Sequence, residues 1–236
     1  MPTSGTSTFS VTRDDIIKAS FRLLGVYGTG ETPSTDDYTN ASQALNILIK
    51  SWMKKNVNLW TVQDVAFPTV VGTSSYAFPG TTTTPVTSYR PLRVLEAFLR
   101  DSNGNDVPLN VISRQEYLQF GIKTTQGIPN SCYYDKQLSA GVLYLYNTPV
   151  DITHTVHLVV QRPLQDMTTS TDTFDFPQEW FQAIKWGLAE ELAPEYGYNL
   201  NNLQMITAKA TKYLEDAADW DQEDTSTFFT SDQRNR

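Results

Sequence analysis

The 236-residue chain has one cysteine, Cys132, and only two histidines, His154 and His157. A lone cysteine excludes an intramolecular disulfide and any zinc site built on several thiolates. The histidines fall in "THTVHLVV", a strand-like run. Positions three apart in a strand point to opposite faces, so the pair cannot hold one metal ion together. Neither stands beside a serine or cysteine motif that would make it the base of a nucleophilic triad. Cys132, within "NSCYYD", reads as a small buried hydrophobe rather than a nucleophile. A phosphate loop is also missing, because "GTGETPS" carries no lysine and follows no strand.

Positive charge is scarce. Eighteen Lys and Arg stand against 26 Asp and Glu, a formal net charge of −8. Gripping a nucleic-acid backbone requires clustered Lys and Arg, which this chain does not gather in sequence. An acidic surface would instead let nucleic acid slide past. No window approaches eighteen consecutive apolar residues, and "MPTSGTSTFSVTRDD" lacks the charged and apolar regions of a signal peptide. These absences predict a soluble protein made in the cytoplasm, with no membrane span, no metal and no cofactor.

What is present is helical periodicity at both ends with strand-like runs between. The first helix is predicted from about Thr12, a capping residue followed by Asp14 and Asp15, to Leu24, with Gly25 as the stop. Ile16, Ala19, Leu23 and Leu24 share its apolar face. A second helix begins at Ser34 or Thr35 and buries Ala41, Ala44, Leu45, Leu48 and Trp52, with Lys50, Lys54 and Lys55 complementing its negative end. From about Leu59 to Thr169, "TVQDVAF", "PLRVLEAFLRD", "DVPLNVI", "GVLYLYN" and "THTVHLVVQRP" read as short strands. "DSNGND" is a hairpin turn, "SRQEYLQFG" a short helix capped by Ser113, and Thr81–Thr84 a mobile loop tip.

Helical periodicity returns in "DFPQEWFQAIKWGLAEELAPEYG". Asp175, Pro177 and Glu179 mark its start, and Pro194 and Gly197 its end. Trp180 or Phe181, Ile184, Leu188 and Leu192 form its buried stripe. A last helix spans roughly Leu200 to Asp219, and the tail "DQEDTSTFFTSDQRNR" has no period. The fold expected is α+β: terminal helix pairs forming a helical bundle, with an inserted, mostly antiparallel β domain. The boundaries read as an N-terminal extension over 1–11, bundle parts over 12–58 and 173–220, the β domain over 59–172, and a C-terminal arm over 221–236. The residues expected to pack the bundle are Leu23, Leu24, Leu45, Leu48, Trp52, Ile184, Leu188 and Leu192.

Among enzymatic readings the strongest is a two-carboxylate glycosidase, with Glu190, Glu191 and Glu195 as acids and Trp180, Trp186 and Tyr196 as sugar-stacking neighbours. Adjacent helical residues project about 100° apart, so Glu190 and Glu191 do not face each other across one bond. Charged helix residues ordinarily face solvent or a partner, and that reading is preferred here. A carbohydrate-binding β domain on a helical stalk rests on aromatics alone.

Three stretches, in order, resemble one family. "DIIKASFRLLGVYGTGETPS" with "ASQALNILIKSWMKKNVNLW" resembles the N-terminal signature of the head-to-tail adaptors of short-tailed bacteriophages, also called tail accessory or packaged-DNA stabilisation proteins. "TQGIPNSCYYD" with "GVLYLYNTP" is similar to its central β motif, and "EWFQAIKWGLAEELAPEYG" to its third helix. The resemblance runs from about Thr12 to Ala218. Where the family often has proline after "YYD", this chain has Lys136-Gln137-Leu138. The resemblance implies a non-enzymatic virion protein at the head-tail junction, assembled in the host cytoplasm. It would form a homo-oligomeric ring, typically a dodecamer, under the portal protein, pass double-stranded DNA without sequence-specific binding, and receive downstream tail proteins. By analogy the C-terminal arm would dock on the portal through Trp220, Phe228 and Phe229. A virion-associated peptidoglycan hydrolase using the helix carboxylates is the competing class.

Overall fold

A computed structural model describes residue 5 and residues 7–53, 59–80 and 87–221. Thr81–Thr84, Lys54, Lys55, Phe228 and Phe229 lie outside them. In chain order the elements are α1 (Arg13–Leu24), α2 (Thr35–Trp52), β1 (Val62–Pro68), β2 (Ser75–Phe78), β3 (Arg93–Arg100), β4 (Asp106–Pro108), β5 (Asn110–Val111), α3 (Arg114–Gln119), β6 (Ser131–Lys136), β7 (Gly141–Tyr146), β8 (Thr155–Gln161), α4 (Phe181–Leu192) and α5 (Leu200–Trp220). The fold class is α+β. Two compact units divide between Ile49 and Lys50 and again between Asp166 and Met167.

In the first unit, helices from the two ends of the chain come together: α4 packs against both α1 and α5. α1 starts where the sequence says it should, because Thr12 accepts from the Asp15 backbone while Asp15 reaches back to Thr12. It stops at Gly25, whose φ of 68° is left-handed. Its buried face is Ile16, Ile17, Ser20, Phe21 and Leu24. Ala19 and Leu23 flank that face half-buried. Ser20 can be buried because its hydroxyl donates to the Ile16 and Lys185 carbonyls, at 3.0 and 2.9 Å. On α2, Ala41, Leu45, Leu48, Ile49 and Trp52 are buried, and Ala44 is half-buried.

The segment after Met167 belongs to this unit for a local reason. Asn46 bonds Met167 in both directions at 3.0 Å, and the Arg13 amide donates to the Asp172 carbonyl at 2.9 Å. Asp172 in turn gathers Thr168 and Thr169, whose hydrogen bonds hold its carboxyl down at about 2. A 3₁₀ turn over Gln178–Trp180 then leads straight into α4. That helix is buried nearly all round, with Ile184, Leu188, Ala189 and Leu192 all fully enclosed. After Leu192 the chain turns through Gly197, at φ 64°, with the Tyr198 amide on the Ala193 carbonyl.

The second unit holds two four-stranded sheets. One, ordered β1-β8-β3-β4, is antiparallel throughout. The other, β2-β7-β6-β5, is antiparallel except for the β5–β6 pair. Inward side chains from both sheets, among them Phe67, Phe78, Leu99, Leu143 and Leu158, form one buried cluster, so the sheets enclose a shared core. The register explains the alternation: Val65 lies opposite Leu158 and Phe67 opposite Val156, all facing inward. A bulge between Val94 and Glu96 bends β3.

"DVPLNVI" is not one strand. β4 pairs with β3 and β5 with β6, so the chain changes sheets at buried Leu109. The β3–β4 turn follows "DSNGND" as read: Asp101 accepts from the Asn103 and Asn105 amides, and Gly104 takes φ 84°. α3 is capped by Ser113 with Glu116 reciprocating. Ser75–Phe78 and Ser131–Lys136 are strands that hydrophobic alternation did not single out.

Candidate assembly surfaces

Cys132 and the two histidines are each engaged separately. Cys132 is fully buried, and burial pushes its thiol up to about 12. His154 precedes β8 and bonds Asp151 at 3.1 Å. His157 lies within β8, stacks on Phe98 with ring centroids 4.7 Å apart, and bonds Asp64 at 2.9 Å. Phe98 is its direct cross-strand partner, so the stack follows from register. No cluster of three His, Cys, Asp or Glu able to hold a metal ion occurs among the described residues. No helix of the described residues is long and apolar enough to cross a membrane.

The stretch "WGLAEELAPEYG" divides its work. Leu188 and Leu192 are fully buried, Glu190 is half-buried, and Glu191 and Glu195 are exposed. Trp186 sits between α4 and α5, with Lys209 Nζ 4.8 Å from its ring centroid and Tyr213 at 6.1 Å. Lys185 also approaches the ring, at 6.0 Å. Burial lowers the Lys185 pKa, and nearby Arg22 and Lys209 lower it further.

The residue in this stretch with the largest network is Tyr196. Its hydroxyl donates to Asp37 at 2.6 Å. Asp37 also accepts from the Ser34 hydroxyl at 2.6 Å and amide at 3.2 Å, and from the Tyr27 hydroxyl. One carboxylate thereby ties the loop after α1, the start of α2 and the turn after α4. The Ser34 hydroxyl, then Tyr196 and Tyr27, hold the Asp37 carboxyl far below the usual carboxylate range. Burial first, and the Asp37 bond second, push the Tyr196 phenol up. Phe21 adds edge contacts to both rings, at 5.5 Å to Tyr27 and 5.1 Å to Tyr196. In this network Asp37 is a fastener rather than an acid.

In the β unit, a groove of about 620 Å³ is lined by Lys50, Tyr89, Arg90, Arg162 and Asp166 among others. Lys50 is committed to Asp166 at 2.6 Å and to the Leu164 carbonyl at 2.7 Å. Arg90 precedes β3 and Arg162 follows β8. These strands are antiparallel neighbours, and the Leu92 amide meets the Gln161 carbonyl at 2.8 Å. Two basic residues far apart in sequence thus share one groove, which no local motif announces. Such a groove can accept an anionic side chain. At another place, Val70, Val71, Val150 and Ile152 are exposed on two loops joined by the Thr69–His154 and Gly72–Pro149 backbone bonds. Exposed aliphatic side chains gathered on adjoining loops suit protein contact.

Of the arm residues, Trp220 ends α5 and is 66% exposed. Trp220 and the aliphatic loops at Val70 and Val150 thus turn apolar side chains outward, as surfaces that contact other proteins do. The sequence profile of the SU10 adaptor protein family matches residues 11–235, and the chain belongs to that family. It is a phage structural adaptor protein. No curated protein sequence matches it.

Proposed function

We propose that the protein is a virion head-to-tail adaptor. Subunits form a ring, of twelve copies by family resemblance, beneath the portal protein at the head-tail junction. The ring extends the DNA channel, helps retain the packaged genome and receives the next tail protein, after assembly in the host cytoplasm. The family match over residues 11–235 is the observation that carries this reading. The net charge of −8 supports a conduit that passes DNA without adhering to it, because like charge opposes binding. Trp220, Phe228 and Phe229 would contact the portal, while the aliphatic loops at Val70 and Val150 offer a surface for a tail component.

The test is the mass in solution of the purified protein, alone and mixed with portal rings from the same virus. The expected result is stoichiometric addition to the portal ring, lost when the residues after Trp220 are deleted. No association at any concentration overturns the reading. Glu190→Gln, Glu191→Gln and Glu195→Gln are expected to leave assembly intact; a wall-degrading activity that these substitutions abolish, with assembly intact, would favour a peptidoglycan hydrolase instead.

A further inference from the structure

The segment Ser7–Val11 runs as an extended strap along the start of α4. Gln178 Nε2 donates to the Ser7 carbonyl at 2.7 Å, and Phe9 meets Phe181 edge-on at 6.3 Å. Thr12 bridges Thr173 just beyond. Between strap and helix lies a groove of about 390 Å³ whose walls include Phe9, Val11, Phe174, Phe176, Pro177 and Phe181. Phe174 meets Phe181 at 6.1 Å, so aromatic faces already line it. Phe9 is 66% exposed on its rim. An apolar cavity of about 150 Å³ holds one benzene ring. This groove has room for about two rings on that scale.

The chain itself carries two such rings within reach. α5 follows α4 after a short turn and packs back along it, with Tyr213 beside Trp186. Trp220 lies seven residues beyond Tyr213, about 10 Å along the axis, and Phe181 five residues before Trp186, about 7.5 Å. The end of α5 therefore comes level with the start of α4, and α5 also packs on the 3₁₀ turn Gln178–Trp180, next to the groove. From Asp221 to Phe228 the seven residues extend to about 24 Å at most. The adjacent pair Phe228-Phe229 is flanked by Thr and Ser on both sides. Thr8, Ser10 and Thr173 stand on the groove.

We infer that the chain's own C-terminal segment docks in this groove, with Phe228 and Phe229 as its two anchors. A linker this short sets an effective concentration in the millimolar range, which favours the chain's own segment over a second copy. Docking in the free subunit is independent of which protein the assembled particle presents. If the portal does recruit the arm, it must displace the arm from the groove, which delays capture until a competing surface is near.

Hydrogen exchange on the full chain tests this. Deleting residues 222–236, or combining Phe228→Ser with Phe229→Ser, is expected to speed exchange in Ser7–Val11 and Thr173–Trp180 by at least about tenfold, the scale set by burying one phenyl ring. A peptide of residues 222–236 at millimolar concentration restores protection to the deleted protein. Reciprocally, Phe9→Ser speeds exchange across residues 225–231. The double-serine variant keeps the chain full-length, and an unchanged helical circular-dichroism signal shows that it is folded. Unchanged exchange in both segments overturns the inference. Protection that fades on dilution, with a mass above that of the monomer, overturns the own-chain assignment and gives the groove to a second copy.

Discussion

Removing the Asp37 carboxylate should loosen the helical unit more than any single surface substitution. Asp37→Ala strips the acceptor from the Ser34 hydroxyl and amide, from Tyr196 and from Tyr27. A hydrogen bond to a charged group contributes about 1.5–3 kcal/mol, yet the partners here are half-buried or exposed and recover water when the acceptor goes. The net cost is about 2–3 kcal/mol, including the lost reciprocal cap on α2. Tyr196→Phe keeps the edge contact with Phe21 and loses only the hydroxyl, at about 1 kcal/mol. The double variant should fall short of the sum by at least about 0.5 kcal/mol, since the two side chains share one bond.

The same network sets a pH signature. Asp37 is depressed on folding, so its contribution is fully present above the ordinary carboxylate value of 3.8 and is lost as pH falls below it. Tyr196 is raised, so its contribution is complete below the ordinary value of 10.0 and is lost as pH rises beyond it. The assay is urea unfolding followed by hydrogen exchange, which reads α1, α2 and α4 separately from the β unit. An Asp37→Ala cost below about 0.5 kcal/mol, or an additive double variant, would refute the fastener reading.

Two further outcomes test the β unit. A Cβ on Gly141 would lie 1.9 Å from Tyr134 Oη, and that ring is buried with its hydroxyl on the Pro91 carbonyl at 2.8 Å. Gly141→Ala should therefore destabilise by at least about 1–3 kcal/mol in urea melts, and a neutral result would show that the ring yields. Burial also raises the Tyr134 phenol to about 12, so its contribution holds below pH 10 and is lost as pH climbs towards 12. Cys132 should react with a thiol reagent at least about a hundredfold more slowly in the native protein than in urea, because its thiol is enclosed and pushed up to about 12. Fast native labelling would contradict the packing around β6.

Features that depend on neighbouring residues were legible in the sequence. Thr12, Ser113 and Gly25 mark helix ends through bonds or dihedrals spanning only a few residues, so the amino-acid string suffices to place them. The Asn-Gly turn of "DSNGND" was readable for the same reason, and the α+β class from the change of period; the burial of Cys132 was expected only from the general tendency of free cysteine to be buried. Family membership was readable too, because three motifs kept their order along the chain.

Tertiary structure alone decided what depends on distant partners. Residues 75–78 and 131–136 become strands because β7 lies between them and pairs with both, a condition absent from either segment's own pattern. "DVPLNVI" splits between two sheets because Leu109 is needed in the core at the crossover. Arg90 and Arg162 share a groove only because β3 and β8 are antiparallel neighbours. Likewise the sequence could show Glu190, Glu191 and Tyr196 on one stretch, but not that Tyr196 is the one engaged, by an aspartate 159 residues away. Local conformation is governed by short-range sterics and caps. Pairing and charge placement are settled only when the folded chain brings its far parts into register.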